Sequence, residues 1–298
     1  MAAGGDKVKA SNLARDTAVT RLKAAPGWYT AELGPEWNFQ TPSGGVLMTI
    51  AMRAMYEELG DDDLRPLSAN THFCSPVPAG PLEIRVEVLR RGRAAAQVRA
   101  QLCSTTVPGP GLEVSATFAR RRPVKIEMLD GKLPDVAKPD ALPTIQALTD
   151  IAGRERPPFF NNLDSRLALG EPWWEQGWKP GRARIARWYR YLVPQKLADG
   201  RFDPLAIPPI ADTMPPALIQ KLGPDHPPFF APSLDLTVHF LEDTWAEWLL
   251  TDVRSHWAGF GYASAAVEIW DLEGKLIAYG TQMMFLRTEQ AERARPAK

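Results

Sequence analysis

The sequence predicts an α+β protein of two tandem halves, each an antiparallel sheet wrapped around one central helix, and three observations predict it. Residues 66–120 and 233–287 read as one module written twice at a spacing of 167: His72-Phe73 answers to His239-Phe240, Val86 to Val253, Leu102 to Ile269, and Phe118-x-Arg120 to Phe285-x-Arg287. Hydrophobicity stays in phase throughout. Because a slip of one residue turns every side chain of a strand to the opposite face, the ungapped match predicts one shared sheet register. In each half one apolar helical segment precedes several short alternating segments, an order that favours α+β over βαβ units.

In the first half, 17–23 and 28–33 alternate in polarity around Pro26-Gly27 and predict a strand pair joined by a turn. Residues 44–59 place Val46, Leu47, Ile50, Ala51, Ala54, Met55 and Leu59 at helical spacing, with Gly60 as C-cap. Only Arg53, Glu57 and Glu58 are charged there, so the helix must be enclosed on most sides; each large buried side chain contributes roughly 1.5–3 kcal/mol. Strands are predicted at 67–73, 82–89, 94–103 and 112–120. In the second half, 158–169 and 182–192 supply opening strands, 210–222 a helix ending at Gly223, and 233–241, 247–257, 261–270 and 275–287 the remaining strands. Pro215-Pro216 must lie in that helix's first turn, where N–H groups have no intrahelical partner, which places Asp212 at or beside the N-cap. The polar, aperiodic run from Pro123 to Pro143 reads as a crossing linker. The expected division is an N-terminal domain over 11–124, a linker over 125–155 and a C-terminal domain over 156–290.

With 298 residues, 45% of them hydrophobic, the chain can bury a substantial core. Lys+Arg equals Asp+Glu at 35 each, so no net field draws it to nucleic acid or anionic lipid. Two cysteines, no signal-peptide core before Ser11 and no apolar run near the ~20 residues that span a bilayer predict a cytoplasmic protein without a membrane segment. His226 and His256 lack partners at metal spacing, no cofactor is implied, and neither a G-x-S-x-G elbow nor a P-loop is present. Gly259-Phe260-Gly261 joins two strands and predicts a hairpin turn rather than a dinucleotide fingerprint. His72 and His239, at equivalent positions, suggest a structural role.

Ser43-Gly44-Gly45 opening the first helix, LSANTHFCSPVPAGPLEIRVEVLRRGR at 67–93, Asp212 opening the second helix, PSLDLTVHF at 232–240 and GKLIAYGTQMMFLR at 274–287 together resemble the acyl-CoA thioesterase II (TesB-like) family over nearly the whole chain. The resemblance implies a double hotdog fold. It further implies a water held for attack on a thioester by a helix-start Asp, a hydroxyl on the following strand and a Gln on the last strand; Asp212, Ser233 and Gln282 stand at those places. The residue types suit the task, since a carboxylate accepts the water's proton while a hydroxyl and an amide orient it. Each has an ordinary reading as well: Asp212 as a helix cap, Ser233 as a turn residue beside Pro232, Gln282 as a polar group on a wet strand face.

At the 167 spacing Ser233 faces Pro66 and Gln282 faces Ser115, and helix ends match better at 163, so one site per chain is expected, built mainly by the second half. Gly44 and Gly45 could offer helix-start N–H groups to the thioester oxygen, or could simply feed a tightly packed helix. Arg90, Arg91, Arg93, Arg120, Arg121 and Arg122 could contact coenzyme A phosphates or be solvated. Trp173, Trp174 and Trp178 could cover an acyl tunnel or pack the linker. The implied partner is an acyl-CoA substrate; a monomer and a homo-oligomer are both open. A non-catalytic acyl-CoA or acyl-ligand binding protein on the same fold is the rival reading, and a scaffold the third.

Overall fold

Twelve strands form one antiparallel sheet in the computed structural model, which describes residues 10–288 apart from 125, 127, 154, 176 and 228. The first half begins with α1 (Leu13–Asp16), capped by the Asn12 side chain, then β1 (Thr20–Arg21) paired with β2 (Trp28–Leu33). The strand expected over 17–23 is therefore only two residues long. Thr17 closes α1 instead, its hydroxyl donating to Leu13 O at 2.6 Å, and the chain extends only afterwards. α2 (Gly44–Leu59) spans the predicted helix and ends at left-handed Gly60, φ 53°. Eleven of its sixteen residues are buried, as enclosure by a curled sheet requires. β3 (Arg65–Phe73), β4 (Gly80–Arg91), β5 (Ala95–Ser104) and β6 (Leu112–Ala119) complete the half.

The linker is less featureless than its polarity suggested. It contains α3 (Ile145–Ile151), capped by the Thr144 hydroxyl, and its Leu133, Val136 and Leu142 pack on Trp188, Trp248 and Trp270. Trp188 Nε1 donates to Ala137 O at 3.0 Å. The second half follows with β7 (Leu163–Leu169), β8 (Arg184–Tyr191), α4 (Ile207–Ala211), α5 (Pro216–Leu222), β9 (Phe229–Phe230), β10 (Asp235–Phe240), β11 (Leu249–Gly259), β12 (Tyr262–Asp271), β13 (Leu276–Phe285) and β14 (Arg287–Thr288). Residues 158–162, expected to begin a strand, form a 3₁₀ turn ahead of β7. Of the expected domain boundaries, 125 and 290 lie outside the described residues.

The strand order β1-β2-β4-β5-β6-β3-β10-β13-β12-β11-β8-β7 is the same series run forward and then backward, with β3 and β10 joining the halves. Asn70 pairs with Thr237, its own counterpart at 167, and its Nδ2 donates to Thr237 Oγ1 at 2.7 Å. A register centred on a residue and its own repeat is what a two-fold relation between the halves requires. Bulges repeat too: the ladder shifts at Leu89 in β4 and at His256 in β11, again 167 apart. Phe260 and Gly261 both have positive φ, 52° and 83°, so the expected hairpin is a two-residue turn.

Two expectations need correction. The 167 spacing fails at the last strand: Ala95 pairs with Ala119, whereas Tyr262, its counterpart, pairs with Phe285, only 166 beyond Ala119. The connection into that strand is one residue shorter, Leu102 pairing with Leu112 but Ile269 with Ala278. Gln282 therefore answers to buried Ala116, not to exposed Ser115, and Met284 rather than Phe285 takes the place of Phe118. The helix expected over 210–222 is also broken into α4 and α5, with Asp212 as C-cap of α4 rather than N-cap of α5. Pro215 and Pro216 cannot donate backward to continue α4, so the chain restarts with Pro216 as the first residue of α5. Among the described residues no helix is long and apolar enough to cross a membrane.

Candidate active site

Asp212 is buried, at 6% exposure, in the turn between α4 and α5, and four donors from three separate stretches converge on its carboxylate. Oδ2 accepts from Gly45 N at 3.0 Å and from Ser43 Oγ at 3.2 Å; Oδ1 accepts from Ser233 Oγ at 3.1 Å and from Gln282 Nε2 at 2.7 Å. Burial pushes this carboxyl above the ordinary aspartate range, and the Gly45 N–H with the Ser233, Gln282 and Ser43 side chains partly offsets it by favouring the charged form. The sequence expectation of a self-capping Asp is thus inverted. Asp212 receives an N–H from the first turn of α2, a helix of the other half.

That contact depends on close approach of the two helix starts. A Cβ at Gly45 would lie 2.2 Å from Pro208 O, so only glycine fits between α2 and α4. Farther along, Thr49 Oγ1 donates to Leu205 O at 2.8 Å, and Arg53 pairs with Asp203 at 2.8 Å, fixing the crossing. Ser233 lies just before β10, where an isolated bridge to Met284 holds its backbone, equivalent to the Pro66–Phe118 pair of the first half. Gln282 sits mid-strand in β13 on the same face as Gly280 and Met284, and is buried at 2% exposure. Its Nε2 donates to Asp212 and to Ser233 Oγ, while its Oε1 is buried with no partner among the described residues.

The structure thus brings Asp212, Ser233 and Gln282 into mutual hydrogen-bond contact. Gly45 and Gly44 differ: the Gly45 N–H is engaged by Asp212, whereas Gly44, the first residue of α2, has no acceptor for its N–H among the described residues. Gly44, Asp212 and Ser233 line a cavity of about 650 Å³ between the halves, walled by Phe39, Leu47, Phe73, Pro215, Ile219 and Phe229. The largely apolar wall suits a chain-like group. None of the six arginines considered from sequence lines this cavity; Arg91 and Arg120 pair with Asp61, and Arg121 with Asp243. Arg287 does line it; sequence reasoning counted that residue in the repeat and in the resemblance but assigned it no role. Ser43, quoted in the resemblance but given no role, contacts the carboxylate directly. His72 and His239 are exposed on the sheet, and His239 stacks on Tyr279 at 6.2 Å. No group of three or more His, Cys, Asp or Glu is placed to hold a metal ion among the described residues.

Comparison with known proteins accounts for both halves. Residues 33–119 match the family model described as the acyl-CoA thioesterase N-terminal domain, and residues 136–286 that of the acyl-CoA thioesterase C-terminal domain. No curated protein sequence matches the chain. Among solved structures, a hot dog fold protein of unknown function from Alicyclobacillus acidocaldarius is 20% identical with a TM-score of 0.77, covering 93% of this chain and 98% of that one. The acyl-CoA thioesterase II TesB2 of Mycobacterium marinum is 20% identical with a TM-score of 0.73, over 94% and 100%. A tesB protein of Mycobacterium avium subspecies paratuberculosis is 16% identical with a TM-score of 0.71, over 92% and 98%. At these identities the structures establish the hot dog architecture, two copies in one chain. The family models, which together cover most of the sequence, establish more: the chain belongs to the acyl-CoA thioesterase family.

Proposed function

We propose that the protein hydrolyses an acyl-CoA thioester to the free acid and coenzyme A, using a water activated by Asp212 and oriented by Ser233 and Gln282. The observation that carries this reading is the convergence of a hydroxyl and a carboxamide on one buried carboxylate at the wall of an apolar cavity. Asp212 takes a proton from the water as its oxygen attacks the thioester carbonyl. Gln282 orients the water through the two groups its Nε2 holds, Asp212 and Ser233, and the Gly44 N–H at the positive end of α2 stabilises the oxygen that gains charge. The tetrahedral intermediate collapses by breaking the C–S bond, and the departing thiolate recovers the proton from Asp212. No covalent enzyme intermediate is involved.

Burial serves this chemistry, because a carboxylate held above its ordinary pKa is, in its ionised form, a stronger proton acceptor. The test is thiol release from short, medium, long and aromatic acyl-CoAs by the purified chain, beside Asp212→Asn. Release that disappears in the variant supports the proposal. Ligand retention without release by the unaltered protein would give the binding-protein reading its case.

A further inference from the structure

We infer that a second cavity, built around Arg187, receives a carboxylate at the far end of the acyl chain, so that the substrate class is an ω-carboxyacyl thioester; this rests on the hydrolase reading above. Arg187 lies in β8 on the same face as Ile185, Tyr189 and Tyr191, which belong to the main core. An arginine at that parity is only 4% exposed. Among the described residues it has no carboxylate partner. Its Nη1 donates to Tyr189 Oη at 3.2 Å, its guanidinium carbon lies 4.5 Å from the Trp173 ring centroid, and Nε and Nη2 are buried without an acceptor.

The surroundings repeat the same shortage. Arg187 lines a cavity of about 210 Å³ with Arg156, Ser165, Trp173 and Trp174, and both Trp174 Nε1 and Arg156 Nε are also buried donors without acceptors. Buried charges are ordinarily paired and buried donors satisfied; Arg156 has Asp150 as its counter-charge, so the unmatched donors on residues that line this one space point to an accepting occupant, and the unpaired Arg187 to an anionic one. A carboxylate fits the guanidinium fork. Glu155, exposed, also lines the cavity but makes no ion pair with Arg187 among the described residues.

Position selects the source of the anion. Pro157 and Phe160 line both this cavity and the one holding Asp212 and Ser233, so the two are neighbours that share those side chains. At a water's share of ~30 Å³, about seven waters' worth of space takes a carboxylate with a few methylenes. The adenosine attached to the 3′-phosphate of coenzyme A would not fit.

Adipoyl-CoA and hexanoyl-CoA, equal in chain length, test the assignment. The expected kcat/KM favours adipoyl-CoA by about ten- to hundredfold, the range of a hydrogen-bonded charge pair, and Arg187→Met collapses that ratio toward one while Arg187→Lys retains part of it. Equal or poorer turnover of adipoyl-CoA by the unaltered protein, or a ratio indifferent to Arg187→Met, overturns the inference. So does an Arg187 effect that follows the 3′-phosphate, read by comparing hexanoyl-CoA with its 3′-dephospho form, or a coupling of Arg187 to Glu155 in a double-mutant cycle. If neither thioester is cleaved the hydrolase reading falls separately. Calorimetry with adipate against hexanoate then decides the carboxylate site, which requires adipate-selective binding that Arg187→Met abolishes and is overturned by its absence.

Discussion

The two halves share a sheet down to its bulges and differ where the chemistry would sit. β4 and β11 shift register at positions 167 apart, and β3 meets β10 about a residue and its own repeat. Yet α2 runs unbroken for sixteen residues while its counterpart is split into α4 and α5, Pro66 stands where the second half has Ser233, and Ala116 where it has Gln282. At the 163 spacing of the helix ends, Asp212 answers to Thr49, whose hydroxyl donates to Gly45 O inside an intact helix. Backbone was retained after duplication, and polarity was concentrated in one half. The other half contributes what its intact helix can give, an N-terminus: Ser43, Gly44 and Gly45 meet the carboxylate of the broken one.

The largest effect should come from the residue on which both halves converge. Asp212→Asn is expected to lower kcat by about 10²–10⁴-fold, the usual contribution of a positioned general base, with a much smaller change in KM. Because burial raises this carboxyl and the base must be ionised, kcat/KM should climb with pH through a midpoint above the ordinary aspartate range. That acid limb should vanish in the variant. A residual rate near that of the unaltered enzyme, or a limb that persists, would assign the base elsewhere.

Next is the contrast between last strands. Gln282→Ala removes donors from Asp212 and Ser233, and at about 1.5–3 kcal/mol for a bond to a charged group the expected fall in kcat/KM is roughly ten- to hundredfold. Its amide also helps to hold the Asp212 pKa down, so the acid limb should move further upward. Ser115→Ala, at the residue 167 before Gln282, should change neither quantity by twofold, since that side chain is exposed on the other face. Equal effects at the two positions would contradict the one-residue slip described above.

That slip shows what was legible in the sequence. α2 and its glycine cap were readable because a mostly enclosed helix writes its period plainly, and most strand centres because turns punctuate them. The register of β13 was not, because apolar residues occupy both its faces, Tyr279 and Met283 on one, Ala278 and Met284 on the other, so a shift by one costs the pattern nothing. The candidate trio was found by resemblance, but the geometry around Asp212 was hidden. Pro215-Pro216 marks a helix start correctly, yet composition does not say that a separate turn of helix precedes it or that an N-terminus from the other half arrives across the gap. Arg187 carried no sequence signal, since an arginine among strand aromatics reads as outward-facing until its parity is fixed.

The helix crossing offers a test through stability. Gly45→Ala places a methyl group against the Pro208 carbonyl and the Pro209 Cα, backbone atoms that cannot rotate away as a side chain can. Overpacking of this kind costs about 1–3 kcal/mol, readable as a lower urea midpoint at unchanged m-value. Gly44→Ala meets chiefly the Phe73 ring, a side chain that can rotate away, so its loss of stability should be smaller. If the order of the two variants were reversed, the close approach at Gly45 would not be what holds the halves together at this point.

Within the candidate trio the smallest change is expected at Ser233. Its hydroxyl donates to Asp212 and accepts from Gln282, so Ser233→Ala should cost about tenfold in kcat/KM, one hydrogen bond to a charged group near the low end of its range. Ser233→Thr keeps the hydroxyl and adds a β-branch that narrows its rotamers, an ordering gain worth a fraction of a kcal/mol; the rate should move by no more than about threefold, and upward. Pro66 marks the alternative course, since the same strand position in the first half has neither hydroxyl nor N–H to give. A threonine variant much slower than serine would mean that the added methyl meets the wall of the cavity at that point, and that the hydroxyl's orientation is set by its partners rather than by its own backbone.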